Sequence, residues 1–309
     1  MTKNNQNGIC YIERTTGSIC KEKVYGDLAL QLLYGDHFIS KTIGVSLSHL
    51  LARVSCFSWA YGKFQKSACS VKKIVPFIKS FNIDTNEFAD NPETFLSFND
   101  FFIRRLKKSA RPIAEGSDIA IIPADGRYLF YQHLDQTDTF LVKGQRFCLS
   151  ELLTDPKLGG KYASGSMVIA RLCPSDYHRY HFPCDCTPDV TRLINGWLYS
   201  VNPIAIKKNI HIFSQNKRTI CHLMTKEFGE VLFLEIGATF VGSIHQTYTP
   251  GHLYPKGAEK GYFSFGGSSL ILLFEPSRIV FDQDLLAATA KGMEIRCLMG
   301  QSMGRSISS

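Results

Sequence analysis

Ten cysteines are present, yet no two form a Cys-x-x-Cys pair, and no His-x-x-x-His follows at zinc-finger spacing. A zinc module is therefore not expected, and Cys184-Asp185-Cys186 reads as two reduced thiols in a loop. An uninterrupted apolar run is also missing. The best candidate, Phe38 to Tyr61, is broken by Lys41, His49 and Arg53, whereas a spanning helix needs about 20 mainly apolar residues. Behind the polar start Met1–Asn7 no apolar segment follows, so no secretory signal is expected and the thiols suit a reducing compartment. There is no dinucleotide glycine fingerprint, no mark of a pyridoxal-phosphate lysine, no RNA-binding signature, no internal repeat and no low-complexity tract. The net charge of +8 suits an anionic membrane surface or a nucleic acid without choosing between them. With no motif for nucleic acid, that partner is not expected.

What remains is a chain of 44% apolar and 20% charged residues, enough for one large domain or two unequal ones. Leu28, Leu32, Leu33, Ile43, Leu47, Leu50, Leu51, Val54 and Phe57 recur at steps of three and four, which is helix periodicity. Val71, Ile74, Val75 and Ile78 repeat it beside Lys72, Lys73 and Lys79. Such faces either pack on the rest of the protein or lie in a membrane interface. Ser97 and Asp100 have capping-box spacing at the head of a short helix, with Arg104, Arg105, Lys107 and Lys108 toward its end. Arg111-Pro112 stops helical structure and marks the expected boundary. Beyond it, β-rich runs alternate with turn residues: Ile119–Ile122, Tyr128–Gln132, Met167–Leu172, Thr191–Leu198, Thr219–Met224, Val231–Ile236, Thr239–Ile244 and Ser269–Phe274. The expected architecture is α+β, with a helical, membrane-associating region over 1–111 and a β-rich catalytic domain over 112–309.

Four places carry residues fit for chemistry. Gly266-Gly267-Ser268-Ser269 precedes the apolar run Leu270–Phe274, and its glycines let another group approach the Gly267 carbonyl closely. Taken alone, it is a β-turn. Asp125 stands in Pro123-Ala124-Asp125-Gly126, and Asp-Gly is first of all a turn as well. His178 and His181 stand in Tyr177-His178-Arg179-Tyr180-His181-Phe182-Pro183, with no ligand spacing that argues for a metal. Gly237-Ala238 and Val241-Gly242-Ser243-Ile244 suggest close backbone approaches. Serine, histidine and aspartate together are the parts of an activated nucleophile, because a serine hydroxyl is weak until a base removes its proton. The chain order would be Asp125, then His178 or His181, then Ser268.

With Phe98–Lys107, these segments resemble, in order and across roughly residues 95–280, those of the phosphatidylserine decarboxylases. One departure is visible: Ser269 stands where that family usually has threonine, and it keeps the hydroxyl. The resemblance implies a self-processing proenzyme. Ser268 would attack the Gly267 carbonyl, with His181 as base and Asp125 behind it. The chain would divide into a β chain, 1–267, and an α chain, 268–309, and Ser268 would become a pyruvoyl group. That group would serve as the cofactor, forming a Schiff base with phosphatidylserine, which loses carbon dioxide to give phosphatidylethanolamine. The need is chemical, since no side chain can delocalise the carbanion that decarboxylation leaves. His178 would act on the substrate carboxylate or in later proton transfer. No metal is expected. The partners implied are phosphatidylserine in the bilayer and the two daughter chains held as a heterodimer, with a higher oligomer open; the place implied is the cytoplasmic side of the cell membrane. Two rival classes are a serine hydrolase, which lacks its Gly-x-Ser-x-Gly elbow here, and a non-enzymatic membrane-binding β-module, which would need neither the histidine segment nor Gly-Gly-Ser-Ser.

Overall fold

The longest strands, six to eight residues rich in apolar side chains, are largely buried on both faces, and one large sheet holds them. The computed structural model describes residues 9–23, 62–136, 148–206, 209–238, 243–266 and 268–307. The helical periodicity expected over Leu28–Phe57 lies outside these residues, as do Gly267 and the Val241-Gly242 pair. From edge to edge the main sheet runs β2 (Ile19–Lys21), β1 (Cys10–Glu13), β15 (Glu294–Cys297), β4 (Gly126–Tyr131), β5 (Ser166–Leu172), β13 (Ser268–Phe274), β10 (Glu230–Gly237), β9 (Arg218–Met224) and β7 (Thr187–Pro188). A short strand, β8 (Arg192–Ile194), also pairs with β9. Among the described strands of this sheet, only β1 and β15 run parallel. Two three-stranded sheets flank it: β11 (Ile244–Gln246), β12 (Glu259–Phe263) and β6 (Arg179–His181), and β14 (Ile279–Phe281), β16 (Ser302–Ser306) and β3 (Ile119–Ile121).

Strand β13 shows why these runs carry no alternation of polar and apolar residues. Leu270, Leu272 and Phe274 join one core cluster with Tyr128, Phe130, Tyr180, Phe182 and Phe233. Ile271 and Leu273 join another with Leu152, Leu153, Tyr162, Leu232 and Leu234 on the opposite face. Successive side chains point to opposite faces, and here both faces are covered.

A third cluster is nearly all phenylalanine. Helix α1 (Ile74–Phe81) contributes Ile74 and Phe77, and helix α2 (Phe98–Phe102) contributes Phe98, Phe101 and Phe102. Phe88, Phe95 and Phe265 complete it. The expected cap on α2 is present. The Ser97 hydroxyl accepts from the Asp100 N–H at 3.1 Å, and the Asp100 carboxylate accepts from the Leu96 N–H at 3.1 Å. The helix stops at Phe102, so Arg104 falls beyond its end rather than in its last turn.

The chain is α+β, with strands on both sides of Arg111-Pro112. Strands β1 and β2 lie at the start of the region expected to be helical, and β1 joins β15 of the same sheet that carries Ser268. Helix α2 packs against Phe265 of the β-rich part.

Candidate active site

Ser268 opens β13, paired with Gly237 on one side and Leu172 on the other. That register places it at the end of a central strand, beside the point where β5 leaves the sheet. The exit is a tight return, Cys173–Asp176. The Asp176 N–H donates to the Cys173 carbonyl at 2.8 Å, and the Cys173 N–H donates to the Asp176 carboxylate at 2.8 Å. Arg127 grips the same carboxylate at 2.8 and 2.5 Å. Because β5 and β13 are paired at Leu172 and Ser268, the return brings His178 over the serine. The distance from Ser268 Oγ to His178 Nδ1 is 3.3 Å, and both side chains are fully buried.

The protonation of His178 follows from its other bond. Nε2 lies 2.9 Å from the Cys173 carbonyl, which can only accept, so Nε2 carries the proton. The Nδ1 lone pair is then turned to the serine hydroxyl. The Phe102 ring stacks on the imidazole at 3.8 Å between centroids. Burial holds the His178 pKa down at about 3; the Asp176 charge and the Cys173 carbonyl oppose the shift without overcoming it. His178 is thus a neutral acceptor at ordinary pH.

His181 is placed elsewhere. Its Nδ1 lies 2.9 Å from the Gly257 carbonyl, and its Nε2 lies 3.3 Å from the Tyr177 hydroxyl. Gly257 has φ +80°, a conformation that favours glycine, and this turn aims the carbonyl at the ring. Burial lowers the pKa of His181 as well, with the Gly257 hydrogen bond and the Glu259 and Asp125 charges opposing. The histidine expected as base therefore contacts Tyr177 in this structure, and His178 is the one against Ser268. The two are three residues apart, and β6 begins at Arg179 between them, so extended backbone turns their side chains in different directions.

Asp125 is buried and does not bond either histidine. Arg111 donates to it through Nε at 2.9 and 3.1 Å and through Nη2 at 2.6 Å, and the Met299 N–H donates at 2.9 Å. Arg111 also reaches Glu87 at 2.9 Å. A residue first met as a helix stop is thus the ion partner of the candidate acid. Asp125 is near enough to Tyr177 and His181 for its charge to act on both.

Phe265 connects α2 to the serine. Its N–H donates to the Asn99 side-chain oxygen at 2.9 Å, and its ring meets Phe98 at 5.3 Å and Phe102 at 4.8 Å. Gly266 follows with φ +137°, a value that side chains with a Cβ rarely adopt. The expectation of flexible backbone before Ser268 has this local basis at Gly266. Sequence reasoning did not single out Phe102, Asn99 or Arg111 as site residues. For Phe102 the one available signal was its place in the Phe98–Lys107 segment.

Comparison with known proteins gives a concordant family. The family model described as "Phosphatidylserine decarboxylase" matches residues 98–305. Among curated relatives, a "Phosphatidylserine decarboxylase proenzyme" of Chlamydia caviae is 51% identical over 297 residues, 96% of this chain and 98% of that protein. Proteins of the same name are 47% identical in Chlamydia muridarum, over 97% of this chain and 98% of the relative, and 45% identical in Chlamydia trachomatis serovar D, with the same shares.

Proposed function

The chain belongs to the phosphatidylserine decarboxylase family, and from that premise we propose how its own residues mature the enzyme and serve its turnover. It is a carboxy-lyase, made as a proenzyme, that converts phosphatidylserine to phosphatidylethanolamine and carbon dioxide. In the proposed maturation, His178 Nδ1 takes the Ser268 proton and Oγ attacks the Gly267 carbonyl carbon. His178 returns that proton to the amide nitrogen, which leaves as the free amine of Ser268, so an ester joins Gly267 to the Ser268 side chain. Loss of the Ser268 α-proton then expels the Gly267 carboxylate by β-elimination. Water converts the resulting dehydroalanine to a pyruvoyl group and ammonia. The products are the β chain, 1–267, and the α chain, 268–309, which remain together through the pairing of β13 between β5 and β10.

The observation that carries this reading is the Ser268–His178 contact with its tautomer fixed by the Cys173 carbonyl. The surroundings suit the proposed group. Residue 268 is fully buried at the head of a strand, and the Ser269 hydroxyl beside it is buried without a hydrogen-bond partner among the described residues. A pyruvoyl group supplies an electron sink for the carbanion that decarboxylation creates. Beside it, the Phe102 ring covers the His178 imidazole, and His178 holds a lone pair through which a proton can be taken and returned.

A second reading assigns the base to His181, as the family resemblance suggests, with Asp125 behind it. The proximity of the Asp125 charge to His181 and Tyr177 favours it. Adopting it requires His181 to exchange Tyr177 for Ser268.

The acyl chains of the substrate stay in a bilayer, because exposing them costs about 0.8 kcal/mol per CH₂. No helix among the described residues is long and apolar enough to cross a membrane. Lys72 and Lys79 are exposed, and so are Phe64 and Val75, at 46% and 57%. We read this side as a peripheral contact with the cytoplasmic face of the cell membrane.

Intact-mass analysis of the purified protein tests the maturation. The fragment 268–309 should appear at roughly 4.7 kDa, in proportion to the 34.7 kDa of the whole chain, and Ser268→Ala should remain one chain. An active enzyme that is wholly uncleaved refutes the proposal.

A further inference from the structure

Three consecutive residues at the end of α2 take hold of the chain around His178. The Phe102 ring stacks on its imidazole. The Ile103 carbonyl accepts from Arg179 Nε at 2.9 Å, just after His178. Arg104 reaches the chain just before it, donating through Nη2 to the Ser175 carbonyl at 3.1 Å and to the Asp176 carbonyl at 3.4 Å. A further bond runs from Nη1 to the Phe101 carbonyl at 3.4 Å. One guanidinium thus joins the end of α2 to the return at Cys173–Asp176.

That guanidinium is held there at a cost. Arg104 is buried, and its Nε has no hydrogen-bond partner among the described residues. The two carboxylates whose charge acts on it, Asp125 and Asp176, are paired with Arg111 and Arg127. Its own charge lies over the Phe88 and Phe101 rings, 5.0 and 4.9 Å from their centroids. A buried cation without a paired carboxylate is disfavoured, and an apolar side chain of similar length would pack on the phenylalanine cluster without that penalty. What a guanidinium alone supplies is a fork of donors for two successive carbonyls.

The return has a second hold. Arg127 grips the Asp176 carboxylate, which also accepts from the Cys173 N–H. Arg127 therefore fixes the side chain of Asp176, and Arg104 fixes its main chain. Within the return, the Cys173 carbonyl accepts the His178 Nε2 proton at 2.9 Å. That bond leaves the Nδ1 lone pair for Ser268, 3.3 Å away.

We propose that Arg104 is a positioning residue for His178: it holds the Ser175 and Asp176 carbonyls against the end of α2 and so keeps the His178 lone pair on Ser268. The assignment rests on the reading of His178 as the base of maturation.

The test uses the full-length chain. In freshly synthesised proenzyme, α-chain formation is followed in time on a denaturing gel. Arg104→Met removes the fork and should slow cleavage about 100-fold, the order expected when a reacting group is displaced by about 1 Å. Arg104→Lys keeps the charge without the fork and should slow it about tenfold. A spectroscopic readout separates positioning from a general loss of stability. In the uncleavable Ser268→Ala protein labelled with nitrogen-15 histidine, His178 should give the signals of a single Nε2–H tautomer, identified by their absence from the His178→Gln spectrum. Adding Arg104→Met should bring in the Nδ1–H tautomer while urea unfolding remains cooperative. A wild-type cleavage rate in Arg104→Met overturns the proposal, and so does slowed cleavage with the His178 tautomer unchanged. If Arg104→Met does not fold, Arg104→Lys decides on the same two readouts: a wild-type rate or an unchanged tautomer overturns it. Normal cleavage of His178→Ala refutes His178 as the base, a distinct result, and the tautomer measurement then still tests whether Arg104 orders the imidazole.

Discussion

Replacing His178 by Gln in the uncleavable Ser268→Ala protein probes the neutral, buried imidazole on which the maturation scheme depends. An unperturbed histidine titrates near 6.5, and His178 is held at about 3, chiefly by burial. Its folded-state pKa is depressed, so between these values the unfolded chain binds a proton that the folded chain refuses. Stability from this source is complete above pH 6.5 and is lost as pH falls toward 3. At about 1.4 kcal/mol per unit, the loss amounts to about 2 kcal/mol at pH 5 and approaches about 5 kcal/mol at pH 3. Glutamine can still donate to the Cys173 carbonyl but does not titrate. Urea unfolding of the two proteins at pH 7, 6, 5 and 4 should therefore show the histidine protein losing stability relative to His178→Gln by about 1.4 kcal/mol per unit below pH 6.5. The same neutrality predicts that cleavage of the wild-type proenzyme does not fall between pH 7 and 5 through protonation of the base. A stability difference that stays constant from pH 7 to 4 refutes the argument, because His178 would then titrate like an exposed imidazole.

Other perturbations separate the roles of the neighbouring groups. His178→Ala should block formation of the α chain on a denaturing gel while His181→Ala permits it; the reverse pattern selects His181 as base. Asp125→Asn leaves Arg111 with Glu87 alone and should cost about 3–5 kcal/mol in denaturant unfolding, the usual result of breaking a buried ion pair from one side. Charge reversal at Lys72, Lys73 and Lys79 should reduce sedimentation with anionic vesicles and activity on them. Activity on a short-chain soluble substrate should persist, since Lys72 and Lys79 are exposed whereas Ser268 is fully buried.

Much of the scaffold was readable where local rules and tertiary context agreed. The strands over Tyr128–Gln132, Met167–Leu172, Thr219–Met224, Val231–Ile236 and Ser269–Phe274 were marked by β-branched and large apolar side chains between turn residues, and each is present within a residue or two. The Ser97 cap was explicit in its spacing. Strand β1 was not readable. Cys10–Glu13 has four residues, none fully buried, and its partner is Glu294–Arg296 at the far end of the chain. Nor was β6, where Arg179-Tyr180-His181 has no alternation because all three side chains are buried, the arginine through its pair with Glu259.

The candidate site divides in the same way. Asp125, His178, His181 and Ser268 were singled out by the family resemblance of the short segments that hold them, since residue type and order alone match such a triple by chance in a chain with nine histidines. Which histidine meets the serine was decided by the return at Cys173–Asp176 and by the Leu172–Ser268 register. What Asp125 binds was decided by Arg111, fourteen positions earlier and met in the sequence only as the residue before a proline. Periodicity and capping are properties of neighbours in the chain, so the sequence alone determines them. Side-chain partnership depends on sheet register and on the paths of returning loops. These bring together groups far apart in the chain, and only the folded structure decides them.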